Sequence, residues 1–533
     1  MDARDGAARH RCGDRGRFVA VFVAGALAVF AVCAVLATWP AVRHVDGHYI
    51  AGTAPGYGEQ SGGDYLQLVW NFWLPGHQLQ HGHAPWLDPY SFQPESGVRP
   101  NLQGLVFSMP FWPLERALGP AWAYDLMLLA AFLAAGGFTC WWLRSLGLDR
   151  APALLGGVVF ALAPYRLQQS TGHLLGWISF LLPAMLLALE RRRFVLAAMA
   201  LAAIPLSGQV HLALGAIPLY VAYAWVRLPR WRPRLFGLAG AVAAIAAGEL
   251  VQHVVIATSI VSGGRSLGSV SHYSATLSDF LTRSNGNGVE RFVFVGWVTP
   301  LAALAGLVVA WRTRGRPTAV LLAGAALVPM VLALGTHLPG YAALWHAFPP
   351  LRYPRVPERL MPIACLMLAA LVAFAATRLR HVGLIAVAAL VMAVDLHVHI
   401  FGAQKAYTND PSYAALREPG RLVELPIFRP DIDLGSTYLA YAMQSPRERP
   451  QGYSTTAAQA ADGWAKRHHD LSCGVGDVPN YVRFIAVHRG VYRRAGYIGD
   501  RCAAAAETML RRQGFRVLAR SGPITMWQAP WGP

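Results

Sequence analysis

The chain has 533 residues, 55% of them hydrophobic and 14% charged, with a formal net charge of +18. Ordinary soluble domains carry roughly 25% charged residues, so a conventional water-soluble protein is excluded. Only Lys405 and Lys466 of the 46 basic residues are lysines, and the arginines fall in short clusters between apolar runs. That distribution excludes a nucleic-acid surface and reads as membrane topology.

The chain opens on a basic tail, residues 1–17, with Arg4, Arg9, Arg11, Arg15 and Arg17. Residues 18–39 carry no charge and match the ~20 residues a helix needs to cross ~30 Å of hydrocarbon. Backbone groups in lipid must bond internally, which makes such a run a helix. Trp39-Pro40 lacks the small-residue pattern of a cleavage site, so the helix is expected to be retained. Further spans are predicted over 121–143, 151–167, 173–190, 194–208, 210–226, 235–260, 292–311, 318–335, 359–377 and 382–401, about eleven in all. With a cytoplasmic N-terminus, the clusters Arg144 with Arg150, Arg191 to Arg193, Arg227 to Arg234, Arg312 to Arg316 and Arg378 with Arg380 all fall inside, as the positive-inside rule asks.

The same parity places residues 40–120, 261–291, 336–358 and the chain after about 402 outside. Within the first of these, 102–118 is apolar but holds Pro110 and Pro113, and is expected as an interfacial or re-entrant element. Residues 403–533 read as a soluble extracytoplasmic domain. Strands are expected at 421–428 and 483–492, a helix at 501–512 stopping at Gly514, and a closing strand pair around Ser521-Gly522-Pro523. Cys473 and Cys502 are the only cysteines there, and either a disulfide or two free thiols fits. The expected fold class is therefore mainly α: a polytopic membrane helix bundle, 18–402, with a small C-terminal α/β or α+β domain, 403–533, in a multi-pass protein of the plasma membrane.

Candidate chemistry lies where polar residues meet helix ends on the outer side. Asp64 follows Gly62-Gly63 soon after the first helix, and a carboxylate there can act as a general base or hold a metal. It can equally cap a helix over 65–74, with Trp70 and Trp73 as interfacial anchors. Asp88 sits in Asp-Pro turn chemistry. His81 and His83 form H-x-H in a loop, and solvated histidines explain them better than a metal, which needs three or four ligands. Glu290, in NGNGVERF, and His173 face outside by the same parity. Arg352, Arg355 and Arg359, in PPLRYPRVPERL, suit a phosphate by bidentate bonding or anchor to anionic headgroups.

Several of these segments resemble one family. The order of one helix, a large outer loop with an early Asp, many helices and an outer domain is similar to the GT-C superfamily of membrane glycosyltransferases, the class of the protein mannosyltransferases. The closer resemblance is to a bacterial branch related to the YfhO-like membrane proteins. It rests on GGDYLQLVW at 62–70, HGHAPWLDPYSFQPESG at 81–97, APYRLQQSTGHLLGWISFLLP at 163–183, VERFVFVG at 289–296, FPPLRYPRVPERL at 348–360, VELPIF at 423–428 and RPQGYS at 449–454. Leu360 departs from it, since the branch commonly has an aromatic residue after the last arginine. The resemblance implies a polyprenyl-phosphate sugar donor, Asp64 as the base of an inverting transfer to an extracytoplasmic acceptor, and Arg352 and Arg359 on the lipid phosphate. Asp88, His173 and Glu290 would line the acceptor or sugar pocket. A divalent metal ion is the one cofactor left open, and membrane lipids are the expected surroundings. A transporter or flippase of lipid-linked saccharides, or a non-catalytic membrane scaffold, has the same general architecture.

Overall fold

The computed structural model describes residues 3–284, 289–496 and 499–532, with residues 3–19 as backbone only. The side chains of the basic tail, and 285–288 of the NGNGVERF segment, lie outside the described residues.

Most expected spans are helical, with shifted ends. Among the described residues six helices are long and apolar enough to cross a membrane: Ala20–Thr38, Pro120–Ser145, Val210–Arg227, Trp231–Ile256, Arg316–Ala333 and Pro357–Ala376. Shorter apolar helices cover Arg150–Ala161, Leu174–Glu190, Phe194–Leu206 and Val382–Asp395, and Val298–Arg314 adds another helix to the bundle. The element at 102–118 is a helix, Leu105–Leu118, that turns at Gly119 into Pro120–Ser145.

Two expected spans are broken. The helix over 151–167 stops at Ala161 and restarts at Pro164, because proline has no amide to donate and keeps the preceding residue out of the helical region. The fully buried Arg166 repairs the break by donating to the Ala161 carbonyl at 3.0 Å, the Ala131 carbonyl at 3.0 Å and Ser179 Oγ at 2.9 Å. Freed carbonyls in a membrane protein need such side-chain partners. The second break divides 173–190 into Leu174–Ile178 and Leu181–Glu190.

Helix Met361–Ala376 is buried on nearly every face and forms the centre of the bundle. Val298–Arg314 packs against it so closely that a Cβ on Gly306 would lie 1.7 Å from the Leu371 carbonyl oxygen. Gly306→Ala is expected to force the two helices apart, at about 1–3 kcal/mol of overpacking. A thermal midpoint in detergent equal to wild type would refute it.

The last helix also ends early, at Asp395, whose carboxylate accepts from the amides of Trp297, Val298 and Thr299 at 2.9–3.4 Å and caps the start of Val298–Arg314. Residues 401–405, partly counted within the last span, are instead a strand. Phe401–Lys405 pairs antiparallel with His48–Gly52, which follows the first helix. Asp125 holds that pair to the bundle by accepting from the Ile50 amide at 2.8 Å. Chain following the first helix and chain leaving the last are thus tied together.

Beyond it lies a four-stranded mixed sheet in the order Arg421–Leu425, Val482–His488, Ile524–Gln528, Arg516–Ser521, with only the first pair parallel. Helix Gly499–Arg512 packs on it, and the chain turns at Gly514 in the left-handed region, as expected. Cys473 and Cys502 form a disulfide.

Candidate active site

Helix Asp64–Gln80 presents Asp64, Gln67 and Asn71 along one face, at helical spacing. Asp64 does not cap this helix. Gly63 is the capping residue, and both Asp64 oxygens are committed elsewhere. His173 Nε2 meets Oδ2 at 2.7 Å, and the Tyr453 hydroxyl donates to Oδ1. On the far side of the imidazole, Nδ1 lies 2.8 Å from Gln169 Oε1, which fixes the ring. Trp70 is no interfacial anchor either; it is 2% exposed and packs against Leu439 and Tyr453 of the C-terminal segment.

Glycines make these approaches possible. A Cβ on Gly172 would lie 3.0 Å from the Tyr65 amide and 3.1 Å from Asp64 Cβ, so only glycine lets the next residue, His173, reach the carboxylate. Gly62 passes Thr437 Oγ1 and Leu434 at 2.9–3.1 Å in the same sense, and the Gly63 amide donates to Ser436 Oγ at 2.7 Å. Gly172→Ala is expected to separate His173 from Asp64 and lower any Asp64-dependent activity about tenfold or more. A variant as active as wild type would refute that.

Burial alone would raise the Asp64 carboxyl. The charge and hydrogen bond of His173, the hydrogen bond from Tyr453 and the Arg359 guanidinium outweigh it and hold the group down to about 2. Asp64 is therefore an anion at neutral pH, still 29% exposed to the space in front of it.

That space is a cavity of about 250 Å³, close to the lower end of the small-molecule range of roughly 300–1,000 Å³. Asp64, Asp88, His173, Glu290 and Arg359 all line it, so five of the six expected site residues converge. Arg352 does not. Its guanidinium donates to the His346 carbonyl at 2.8 Å and lies over the Trp345 ring, away from the cavity. The arginines it was expected to accompany differ in turn. Arg359 is paired with Glu290, whereas Arg355 and Arg265 line the cavity and hold no carboxylate among the described residues. Asp88 keeps its turn role, accepting at Oδ1 from the Tyr90 and Ser91 amides at 2.9 and 3.1 Å. Burial raises its carboxyl against those donors.

Carboxamides supply much of the remaining lining: Gln67, Asn71, Asn101, Gln103 and Gln209. Asn101 donates to Asn71 Oδ1 at 2.9 Å, and the Asn71 amide nitrogen has no partner among the described residues. No three His, Cys, Asp or Glu side chains converge as metal ligands among the described residues. His81 and His83 are exposed on their turn.

Sequence reasoning missed Tyr453, Arg265 and the carboxamides. Tyr453 lies 389 residues from Asp64, and the only signal for it is its place in RPQGYS. Arg265 stands in a glycine- and serine-rich loop with no local pattern.

This architecture is shared with known structures. The structure of the arabinofuranosyltransferase AftD from Mycobacteria superposes with a TM-score of 0.61 at 14% identity, over 96% of this chain and 40% of AftD. The R1389S mutant of AftD, in its first class, gives 0.58 at 17% identity over 95% and 41%. This chain spans about two fifths of the length of AftD. No protein-family model and no curated protein matches the sequence. The protein thus shares its fold with this arabinofuranosyltransferase, in a multi-pass membrane helix bundle.

Proposed function

We propose that the protein transfers an uncharged sugar from a polyprenyl-phosphate donor to a hydroxyl of an extracytoplasmic acceptor in the cell envelope, with inversion. The observation that carries this reading is the ionised Asp64, held from two sides at the edge of a cavity whose wall holds Arg265 and Arg355, which have no carboxylate partner among the described residues. The acceptor oxygen attacks the anomeric carbon as the bond from that carbon to the phosphate oxygen breaks. Its proton passes to Asp64, and the bonding pair leaves with the polyprenyl phosphate. A carboxylate held near 2 is a weak base. It suffices here because an oxocarbenium-like carbon makes the attacking hydroxyl acidic late in the step.

Arg265 and Arg355, with Arg359 in the same wall, are the groups that bind the departing phosphate. Arg352 drops out of that role. Carboxamides match sugar hydroxyls as both donor and acceptor without a charge, which supports a neutral sugar. The Cys473–Cys502 disulfide supports an outer domain on the oxidising side of the plasma membrane, with the N-terminus cytoplasmic.

The test is transfer of radiolabelled sugar from polyprenyl-phosphate pentose and hexose donors in membranes containing the protein and endogenous acceptors. Wild type is expected to move label into envelope material. Label that only crosses the membrane, still lipid-linked, would replace this reading with a flippase, which the broken helices around Arg166 would then serve.

A further inference from the structure

Asp64 and Tyr453 are distant in the chain, yet each lies just downstream of a side chain in one buried polar network. Glu59, ahead of Asp64, accepts from the Val491 amide at 2.8 Å with one carboxylate oxygen. Its other oxygen meets His488 Nδ1 at 2.5 Å. His488 Nε2 lies 2.9 Å from the Tyr413 hydroxyl, which donates to Glu424 Oε1 at 2.7 Å. Arg449, ahead of Tyr453, donates to that same oxygen at 2.9 Å. His488, Glu424 and Arg449 are completely buried, and Glu59 nearly so.

From Arg449 the backbone is guided to the site. The Gln451 carboxamide bonds both the amide and the carbonyl of Glu424, at 3.1 and 2.6 Å. The Tyr453 carbonyl then accepts from Gln67, on the helix of Asp64, at 2.9 Å. Members of such a network are costly to separate, because each left alone is an unpaired polar group in a low dielectric.

We propose that Tyr453 is a positioning residue for Asp64, and that the network from Glu59 through His488, Tyr413 and Glu424 to Arg449 sets the register between them. The inference rests on the transferase reading above. A carboxylate bonded only to His173 can swing about its terminal torsion, which is broad. A second bond, from Tyr453, fixes its plane and aims the remaining lone pairs at the acceptor hydroxyl. The outer domain is then a working wall of the site.

The experiment measures kcat and KM for donor with the purified full-length protein in lipid nanodiscs, for wild type, Tyr453→Phe, His488→Gln and the double variant. Tyr453→Phe is expected to lower kcat about 100-fold with KM for donor within about twofold, as a misplaced group does. His488→Gln is expected to lower kcat about tenfold, and the double variant to be no slower than Tyr453→Phe, since both act through one contact. A Tyr453→Phe enzyme as fast as wild type or faster would overturn the proposal, the faster one showing that the bond only weakens the base. An additive double variant would overturn the part given to the network. Phenylalanine keeps the ring packing, so Tyr453→Phe decides the first point even where His488→Gln does not fold, and Gln451→Met then takes its place for the second. A wild type that transfers sugar from no donor would refute the transferase reading itself and this inference with it.

Discussion

Asp64→Asn is expected to cut sugar transfer by roughly 10²–10⁴-fold, the range a positioned acid or base supplies, at unchanged expression. Asparagine keeps the shape of the side chain and can still accept from Tyr453. It removes the charge, and its amide nitrogen would face His173 Nε2, turning an attractive contact into one that needs the opposite tautomer. The helix should survive, because Gly63 rather than Asp64 caps it. The effect therefore belongs to kcat more than to folding, and transfer at the wild-type rate would remove Asp64 from the chemistry.

The pH dependence has a definite sign. Asp64 is depressed from an ordinary 3.8 to about 2, so its contribution to stability is present above the ordinary value and lost as pH falls through the lower one. Asp64→Asn should lack that component when thermal midpoints are followed through the acid range. An acid limb in the rate of the wild-type enzyme above about pH 4 would belong to another group.

Arg449→Met is expected to destabilise the protein by about 3–5 kcal/mol, the usual cost of removing one partner of a buried ion pair. Glu424 is completely buried, and its Oε2 already has no hydrogen-bond partner among the described residues. Without Arg449 its charge would keep only the Tyr413 hydroxyl on Oε1. Methionine fills much of the volume, so the loss is electrostatic rather than a cavity. Combining it with Glu424→Gln should restore much of the stability, because the stranded charge goes with its partner. Scanning fluorimetry of the single and double variants reads both effects. A single variant melting with wild type would show that the pair holds nothing together.

The sequence made the bundle legible because lipid imposes length and apolarity on every span. Helix ends were less legible. Pro164 breaks a span that hydropathy joins, and Asp395 ends another to cap its neighbour. The strand at 401–405 was hidden because its partner, 48–52, lies across the whole bundle in sequence. Asp64, His173, Glu290 and Arg359, which line the cavity, stand in motifs beside helix ends, where polar residues are conspicuous. Arg352 and Arg355 were indistinguishable in sequence, three residues apart in one motif. Only the turn of the backbone sends one to the Trp345 ring and the other to the cavity. Asp64 looked as much like a cap as a base, because a cap depends on dihedrals that sequence does not carry.

The Asp64–Tyr453 contact joins an early part of the chain to a late one, and so does the strand pair 48–52 with 401–405. Synthesis runs from the N-terminus, so Asp64 leaves the ribosome long before its partner Tyr453 exists. Until residue 453 has emerged, a nascent chain carries a carboxylate with an unfinished wall. Neither it nor a chain truncated before that point should act on the lipid-linked sugars around it. On the transferase reading, competence arrives only once residue 453 has emerged.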